Sequence, residues 1–462
     1  MNIFPDYELL TIALRQRREK LASLIDFPTI LWSGRSISRN YPALKFPFRA
    51  SSHFLYFAGL PLENAAIRLE SGKLELFMDD ALPSSTLWHG EMPKRAEIAA
   101  LMGAEADFPM AQLKSRSANA ATITVQDSLI QSQQSQILDR PLTPSQSPAG
   151  IDLELTKAII SLRLTQDAAS LAELRAAAAV TVAAHKAGIA ATPTAQIEAG
   201  VRAAMESAII SQNMTTAYPS IVTVHGEVLH SEHYHNSLQT GDLLLADVGA
   251  ETALGWAADV TRTWPVSGKF SPTQRAIYDV VLAAHDACIE KISPGVEYQD
   301  IHLLAAQTMA AGLVDLGILQ GDVEDLVARD AHALFFVHGI GHLIGLDVHD
   351  MEDLGDFAGY ETGRVRSSRF GWGFLRLNRV LQEGMLVSIE PGFYQVPAIL
   401  YNPETRTKYK DSVKWDELEK FADVRGIRIE DDILVTDRGR EVLTAKLPTQ
   451  ASEIENLVTV NA

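Results

Sequence analysis

Four short segments concentrate the side chains able to do chemistry. The run GDLLLADVGAETALGWAADVTRTWP carries Asp247 and Asp259. Asp247 ends the apolar stretch Leu243–Ala246, which reads as a buried strand, and AADVTRTW reads as a strand returning after the turn residues Gly249 to Gly255. Such a hairpin puts both aspartates within reach of one cation, and without a cation two adjacent buried carboxylates cannot both stay ionised. The competing reading is two surface aspartates at turns. VHGIGHLIGLDVHD adds His338, His342 and His349. The first two have the spacing of a helical zinc site, yet Gly339 and Gly341 argue for a loop presenting imidazoles at a cleft. MLVSIEPGFY sets Glu390 at a strand end that Pro391 terminates. In RGIRIEDDILVT, alternation sends Ile427 and Ile429 to one face and Arg428 and Glu430 to the other, which by itself also suits an edge strand with a surface ion pair. Taken together, four carboxylates and one imidazole form a hard ligand set suited to ions such as Mn²⁺. Five ligands are too many for one ordinary catalytic zinc and suit a metal pair with bridging carboxylates.

The elements that must position these residues divide near 131–150, where QSQQSQILDRPLTPSQSPAG reads as an exposed connection. Ahead of it, apolar runs read as strands (HFLYFAGL, KLELFMDD) alternate with helical stretches such as KRAEIAALMG, an α/β pattern without a phosphate-binding glycine loop. Behind it, Thr165–Ala190 reads as a long Ala-rich helix, and SPTQ at Ser271 as a capped helix start. Strands are expected at Asp242–Ala246, Met385–Ile389 and Gly426–Val435, so the second part is α+β.

Composition removes whole classes of function. A net charge of -18 disfavours nucleic acid and anionic membranes as partners. The single Cys288, in a helical-looking stretch, excludes a disulfide framework within the chain and reads as a small buried apolar residue. The start MNIFPDYELLTIALRQRREKL lacks the pattern of a secretory signal, and no run approaches the roughly 20 apolar residues of a membrane span. A soluble cytoplasmic protein is expected.

In this order the motifs resemble those of the Xaa-Pro aminopeptidase (aminopeptidase P) and prolidase family, from roughly residue 160 to residue 445. YPALKFPFRASSHFLYFAGL and LWHGEMP resemble more weakly the N-terminal domain of aminopeptidase P. The resemblance implies an α+β chain in which residues 1–150 form a smaller α/β domain and 151–462 a pita-bread catalytic domain. It implies that Asp247 binds one metal, His342 and Glu390 the other, and that Asp259 and Glu430 bridge both. Two divalent ions are implied, Mn²⁺ first, with Co²⁺, Zn²⁺ or Fe²⁺ as alternatives. A water held between them would attack the Xaa-Pro carbonyl, with Glu390 as general base and His338 and His349 contacting substrate. His230 matches a further substrate-contacting histidine, with His233 as its rival, and Arg428 matches an arginine marking the proline-directed branch. The implied activity removes the first residue from peptides with proline second. A prolidase restricted to dipeptides is the alternative within the family, and a silent peptide-binding protein the alternative of another class. A homo-oligomer, dimer or tetramer, is also implied. Two departures stand out: the Asp247–Asp259 interval is one residue longer than in the commonest form, and YQVPAILYNPETRTKYKDSVKWDELEKF is inserted between Glu390 and Glu430, where it could wall the cleft or build a subunit contact.

Overall fold

A computed structural model describes residues 7–459, so the first six residues of the segment read for a signal lie outside the described residues. The chain forms two compact units. One runs to Ala172 and adds Ala253–Gly255 and Met351–Ala358; the other comprises Glu173–Thr252, Trp256–Asp350 and the chain from Gly359 onward.

The first unit is built on a four-stranded sheet in sequence order, Thr29–Trp32, Ala66–Glu70, Lys73–Phe77 and Ala106–Phe108. Its first three strands are antiparallel and the last joins in parallel. Ile30, Trp32, Ala66, Phe77, Leu113, Ala120 and Ile130 bury one face. Two expectations change here. HFLYFAGL supplies a helix, Ser52–Ala58, rather than a strand: its apolar residues are Phe, Leu, Tyr and Ala with none β-branched, and left-handed Gly59 closes it by donating to the Leu55 carbonyl at 2.9 Å. Residues 131–138 of the expected connection are also helical, within Ser128–Leu138, because Asp127 caps the amides of Leu129 and Ile130 at 2.8 and 3.1 Å. The buried Gln134 then ties this helix to the Ile123 carbonyl at 3.0 Å and the Val125 amide at 3.1 Å. Residue 150 falls between this helix and the next, Ile151–Arg163.

The second unit holds the long helix Ala168–Ala191 from residue 173 on, and the helix Pro272–Lys291. Ser271 and Gln274 cap the latter reciprocally, at 3.1 and 3.0 Å. Cys288 is buried on it, where the apolar surroundings push its thiol pKa up. Strand Leu243–Asp247 lies between Ile221–Thr223 and Thr261–Pro265 in an antiparallel sheet and is buried throughout. RGIRIEDDILVT is not one alternating strand. Gly426–Arg428 pairs with Gly392–Tyr394, Asp431–Thr436 pairs with Leu386–Ile389, and Glu430 sits at the break. Both faces are buried there, which rules out the surface edge strand. No helix of the described residues is long and apolar enough to cross a membrane.

Candidate metal centre

Strand ends and two tight backbone approaches bring the chemistry-bearing residues to one cavity of about 300 Å³. His230, Asp247, Asp259, His338, His342, His349, Glu390, Arg428 and Glu430 all line it. Asp247 ends its strand as the expectation had it, with Thr261 opposite. Asp259 lies two residues before the partner strand, and the Asp432 carboxylate holds its amide at 3.2 Å. The hairpin tip is pinched so closely that a Cβ on Gly249 would meet the Ala258 carbonyl oxygen at 1.8 Å. Loop residues 340–344 run beside strand Leu386–Ile389 through Glu390 N–H to Ile340 O (2.9 Å) and Ser388 N–H to His342 O (3.0 Å). This pairing carries His342 to Glu390. It needs Gly341, where a Cβ would lie 2.2 Å from the Ser388 carbonyl oxygen.

The cavity demands positive charge. The His342 Nε2 atom stands 3.4 Å from an Asp259 oxygen and 3.6 Å from a Glu390 oxygen. Burial works against its charge, but these carboxylates outweigh burial and raise His342 to about 9. Asp247 is raised to about 6 and Glu390 to about 7, first by burial and then by neighbouring carboxylates, against the pull of Arg428. Glu430 is pushed well above the carboxylate range for the same reasons, and its Oε1 is buried without a hydrogen-bond partner. Asp259 runs the other way, held low by His342 despite burial. Ligand atoms of Asp259, His342 and Glu430 lie within 4.8 Å of one another. His342 Nδ1 donates to the Leu343 carbonyl at 3.0 Å, which turns Nε2 toward the carboxylates. An anion-rich, desolvated set with one oriented imidazole fits divalent cations of oxygen preference.

Several residues of the site escaped the sequence reading. The Tyr218 hydroxyl reaches Asp247 at 2.6 Å and Asp259 at 2.5 Å. Arg428 pairs with Asp247 at 2.5 Å rather than with Glu430, and donates to the Thr261 and Tyr394 hydroxyls at 2.9 Å each. Thr261 in turn donates to Glu430 at 2.7 Å. His338 donates from Nδ1 to the Gly339 carbonyl at 2.8 Å, so its Nε2 accepts the Tyr394 proton at 2.9 Å. Burial and Arg428 lower His338 to about 3, and burial and His342 lower His349 to about 2, so both are neutral. Arg262, buried behind the site, donates to the Glu430 carbonyl at 2.7 Å and to both Asp431 oxygens at 2.9 and 3.0 Å. Tyr218 gave no signal, because it lies outside the charged motifs; Tyr394, which ends MLVSIEPGFY, and Arg262, in the TRTW that follows Asp259, were visible but had no assigned partner.

With this geometry in hand, the sequence profile of metallopeptidase family M24 matches residues 172–437, and that of the aminopeptidase P N-terminal domain matches 14–126. The chain belongs to metallopeptidase family M24. It is 33% identical over 426 residues to a probable Xaa-Pro aminopeptidase of Pyrenophora teres f. teres, covering 89% of this chain and 87% of that one. A Verticillium alfalfae relative of the same description is 32% identical, with 89% and 88% covered. Among solved structures, Pseudomonas aeruginosa aminopeptidase PepP superposes with a TM-score of 0.80 at 28% identity, and Escherichia coli aminopeptidase P with the inhibitor Pro-Leu with 0.79 at 26%, each covering 98% of both chains. The α+β pita-bread fold behind an aminopeptidase P N-terminal domain is thereby shown. Within this M24 chain, His230 rather than His233 lines the cavity. None of the described residues in the insertion after Glu390 lines it; the insertion forms short helices instead, tied to 318–320 by Lys414 N–H to Ile318 O and Gln320 N–H to Ser412 O, at 2.9 Å each.

Proposed function

We propose that this chain is a two-metal Xaa-Pro aminopeptidase of the cytoplasm, releasing the first residue from peptides with proline second. The convergence of three buried carboxylates, the partly buried Glu390 and His342 on one cavity, with three further histidines beside them, is the observation that carries this reading. Asp247, Asp259, His342, Glu390 and Glu430 would hold two divalent ions, with Mn²⁺ the preferred species. When bound, such ions supply Lewis acidity toward the scissile carbonyl and a water acidic enough to act near neutral pH. Glu390, whose carboxyl is raised toward neutrality by burial, takes a proton as general base. His349 and His230 border the cavity, the first neutral, and act as N–H donors to the oxygen on which negative charge develops. Arg428 holds Asp247 and, through Tyr394, orients His338. A homo-oligomer is part of the reading, in keeping with the exposed apolar segment of the first unit that carries Leu87 (81% exposed) and Trp88 (77%).

A dipeptidase reading is favoured by one feature. The Arg376 guanidinium belongs to the cavity wall, in electrostatic reach of His230, His338 and His349, where it suits a carboxylate directly after proline. The deciding experiment offers an Xaa-Pro-Yaa tripeptide and an Xaa-Pro dipeptide to metal-stripped enzyme with Mn²⁺ restored. Metal-dependent release of the first residue from the tripeptide is the expected result. Cleavage of the dipeptide alone makes the chain a prolidase, and cleavage of neither leaves a peptide-binding protein.

A further inference from the structure

The metal-ligating carboxylates are bordered by a second, smaller pocket of about 160 Å³. It shares His230, Asp247, Asp259 and His349 with the main cavity, so the two meet at the centre. Its remaining wall is Tyr218, Pro219, Ile221, Glu232 and Val348. Tyr218 spends its hydroxyl on Asp247 and Asp259, which leaves its ring, with Pro219, Ile221 and Val348, as apolar surface. Glu232 is then the one charged side chain there that is neither a ligand candidate nor a histidine beside one, and it is exposed at this pocket. On the main-cavity side, Arg428 is committed to Asp247, and Arg376 supplies the positive wall. The carboxylate thus belongs to the smaller pocket and the guanidinium to the main cavity, with His230 and His349 shared between the two.

A peptide cleaved at the centre places its first residue on one side and its proline on the other. The carboxyl-terminal side of a peptide carries a free carboxylate or carbonyl oxygens and suits the Arg376 end. The first residue's side chain then enters the smaller pocket. An apolar wall with one exposed acidic group beyond the two candidate ligands Asp247 and Asp259 suits a long methylene stem that ends in a cation.

We propose that Glu232 selects substrates whose first residue carries a cationic side chain, so that arginyl-proline and lysyl-proline peptides are the preferred class. This rests on the Xaa-Pro reading above and names the substrate class of the same site. Because Glu232 is solvent-exposed, its attraction is screened, and an advantage of about three- to tenfold in kcat/KM is expected for Arg over Leu as first residue. Glu as first residue falls below Leu.

The test uses the Mn²⁺-loaded full chain with Arg-Pro, Leu-Pro and Glu-Pro substrates, in the peptide length the enzyme cleaves. The readout is the ratio of kcat/KM between first residues, which cancels any general loss of folding or metal. The Arg/Leu ratio should fall to about one in Glu232→Gln, and the Glu/Leu ratio should rise above one in Glu232→Lys. A wild-type enzyme that cleaves Leu-Pro and Arg-Pro equally well, or an Arg preference that survives Glu232→Gln, overturns the proposal while leaving the Xaa-Pro reading intact. A uniform loss across all first residues also overturns it, since Glu232 would then be holding the α-amine. If no Xaa-Pro peptide is cleaved, the reading and the proposal fall together.

Discussion

Stripping the metals leaves the buried carboxylates to repel one another, and the resulting instability has a definite dependence on pH. In the metal-free fold Asp247 titrates at about 6 and Glu390 at about 7, while in the unfolded chain they return to 3.8 and 4.5. Between these values the folded protein keeps protons that the unfolded chain has released, so stability present below the unfolded pKa is lost as pH rises through the folded one. His342, raised to about 9 from 6.5, extends the same slope to higher pH. Asp259 is lowered, and its contribution is already complete above its ordinary pKa. At about 1.36 kcal/mol per pKa unit, Asp247 and Glu390 each account for roughly 3 kcal/mol by neutral pH. Because they share part of one repulsion, their joint cost is about 4–6 kcal/mol. In a unit of this size that corresponds to a Tm lowered by roughly 10 °C. Divalent ions bind the deprotonated carboxylates and reverse the effect, more strongly as pH rises. Thermal melts of chelator-stripped protein, with and without Mn²⁺ at constant ionic strength, should show a gap that widens between about pH 5.5 and about pH 8.5. A gap that stays constant, or a stripped protein that gains stability over that interval, would refute the account of these residues as a cation site.

Asp259→Ala and Glu390→Ala should each lose metal, measured by elemental analysis, and activity by at least about a hundredfold, with the far-UV circular dichroism unchanged. Arg262→Leu removes one charge partner of the buried Asp431, which keeps His285 at 3.0 Å, and should cost about 3–5 kcal/mol in urea unfolding; adding Asp431→Leu should recover only part of that, because the Thr261, Glu430, Leu447 and Pro448 carbonyls lose Arg262 in both variants, and a double variant no better than the single would sink the pairing argument. His302 is buried against Phe336 and Trp372 with both ring nitrogens unpartnered, and burial lowers it to about 3. The unfolded chain takes up a proton there near pH 6.5 while the fold resists it, so His302 costs about 3 kcal/mol of stability by about pH 4. His302→Phe should flatten the acid side of the stability profile, read as the urea midpoint against pH.

The motifs that carry the candidate ligands were legible because each couples a chemical group to a backbone event that sequence also records. Asp247 closes a run of Leu and Ala, and Glu390 precedes the proline that stops its strand. His342 follows Gly341, whose missing side chain lets the loop lie against Ser388. Where the reading went astray, the local pattern was ambiguous and tertiary contacts decided. HFLYFAGL is apolar at nearly every position, so periodicity alone separates neither helix from strand. QSQQSQIL looks like a polar linker until Gln134 finds backbone partners in a buried position. Alternation in RGIRIEDDILVT predicted two faces of opposite character, but both are buried, because the strand breaks at Glu430 and its halves join different sheets. That break is what turns the Glu430 side chain toward Asp259 and His342. It is stabilised from Thr261, whose carbonyl accepts the Glu430 amide at 3.0 Å, and from Arg262, which accounts for the Glu430 carbonyl. Long-range hydrogen bonds of this kind leave no periodic trace in sequence. The residues that share the cavity could therefore be picked out from the chain, while the geometry that brings them together depends on side chains such as Arg262, Tyr218 and Tyr394 that resemble ordinary core residues until their partners are known.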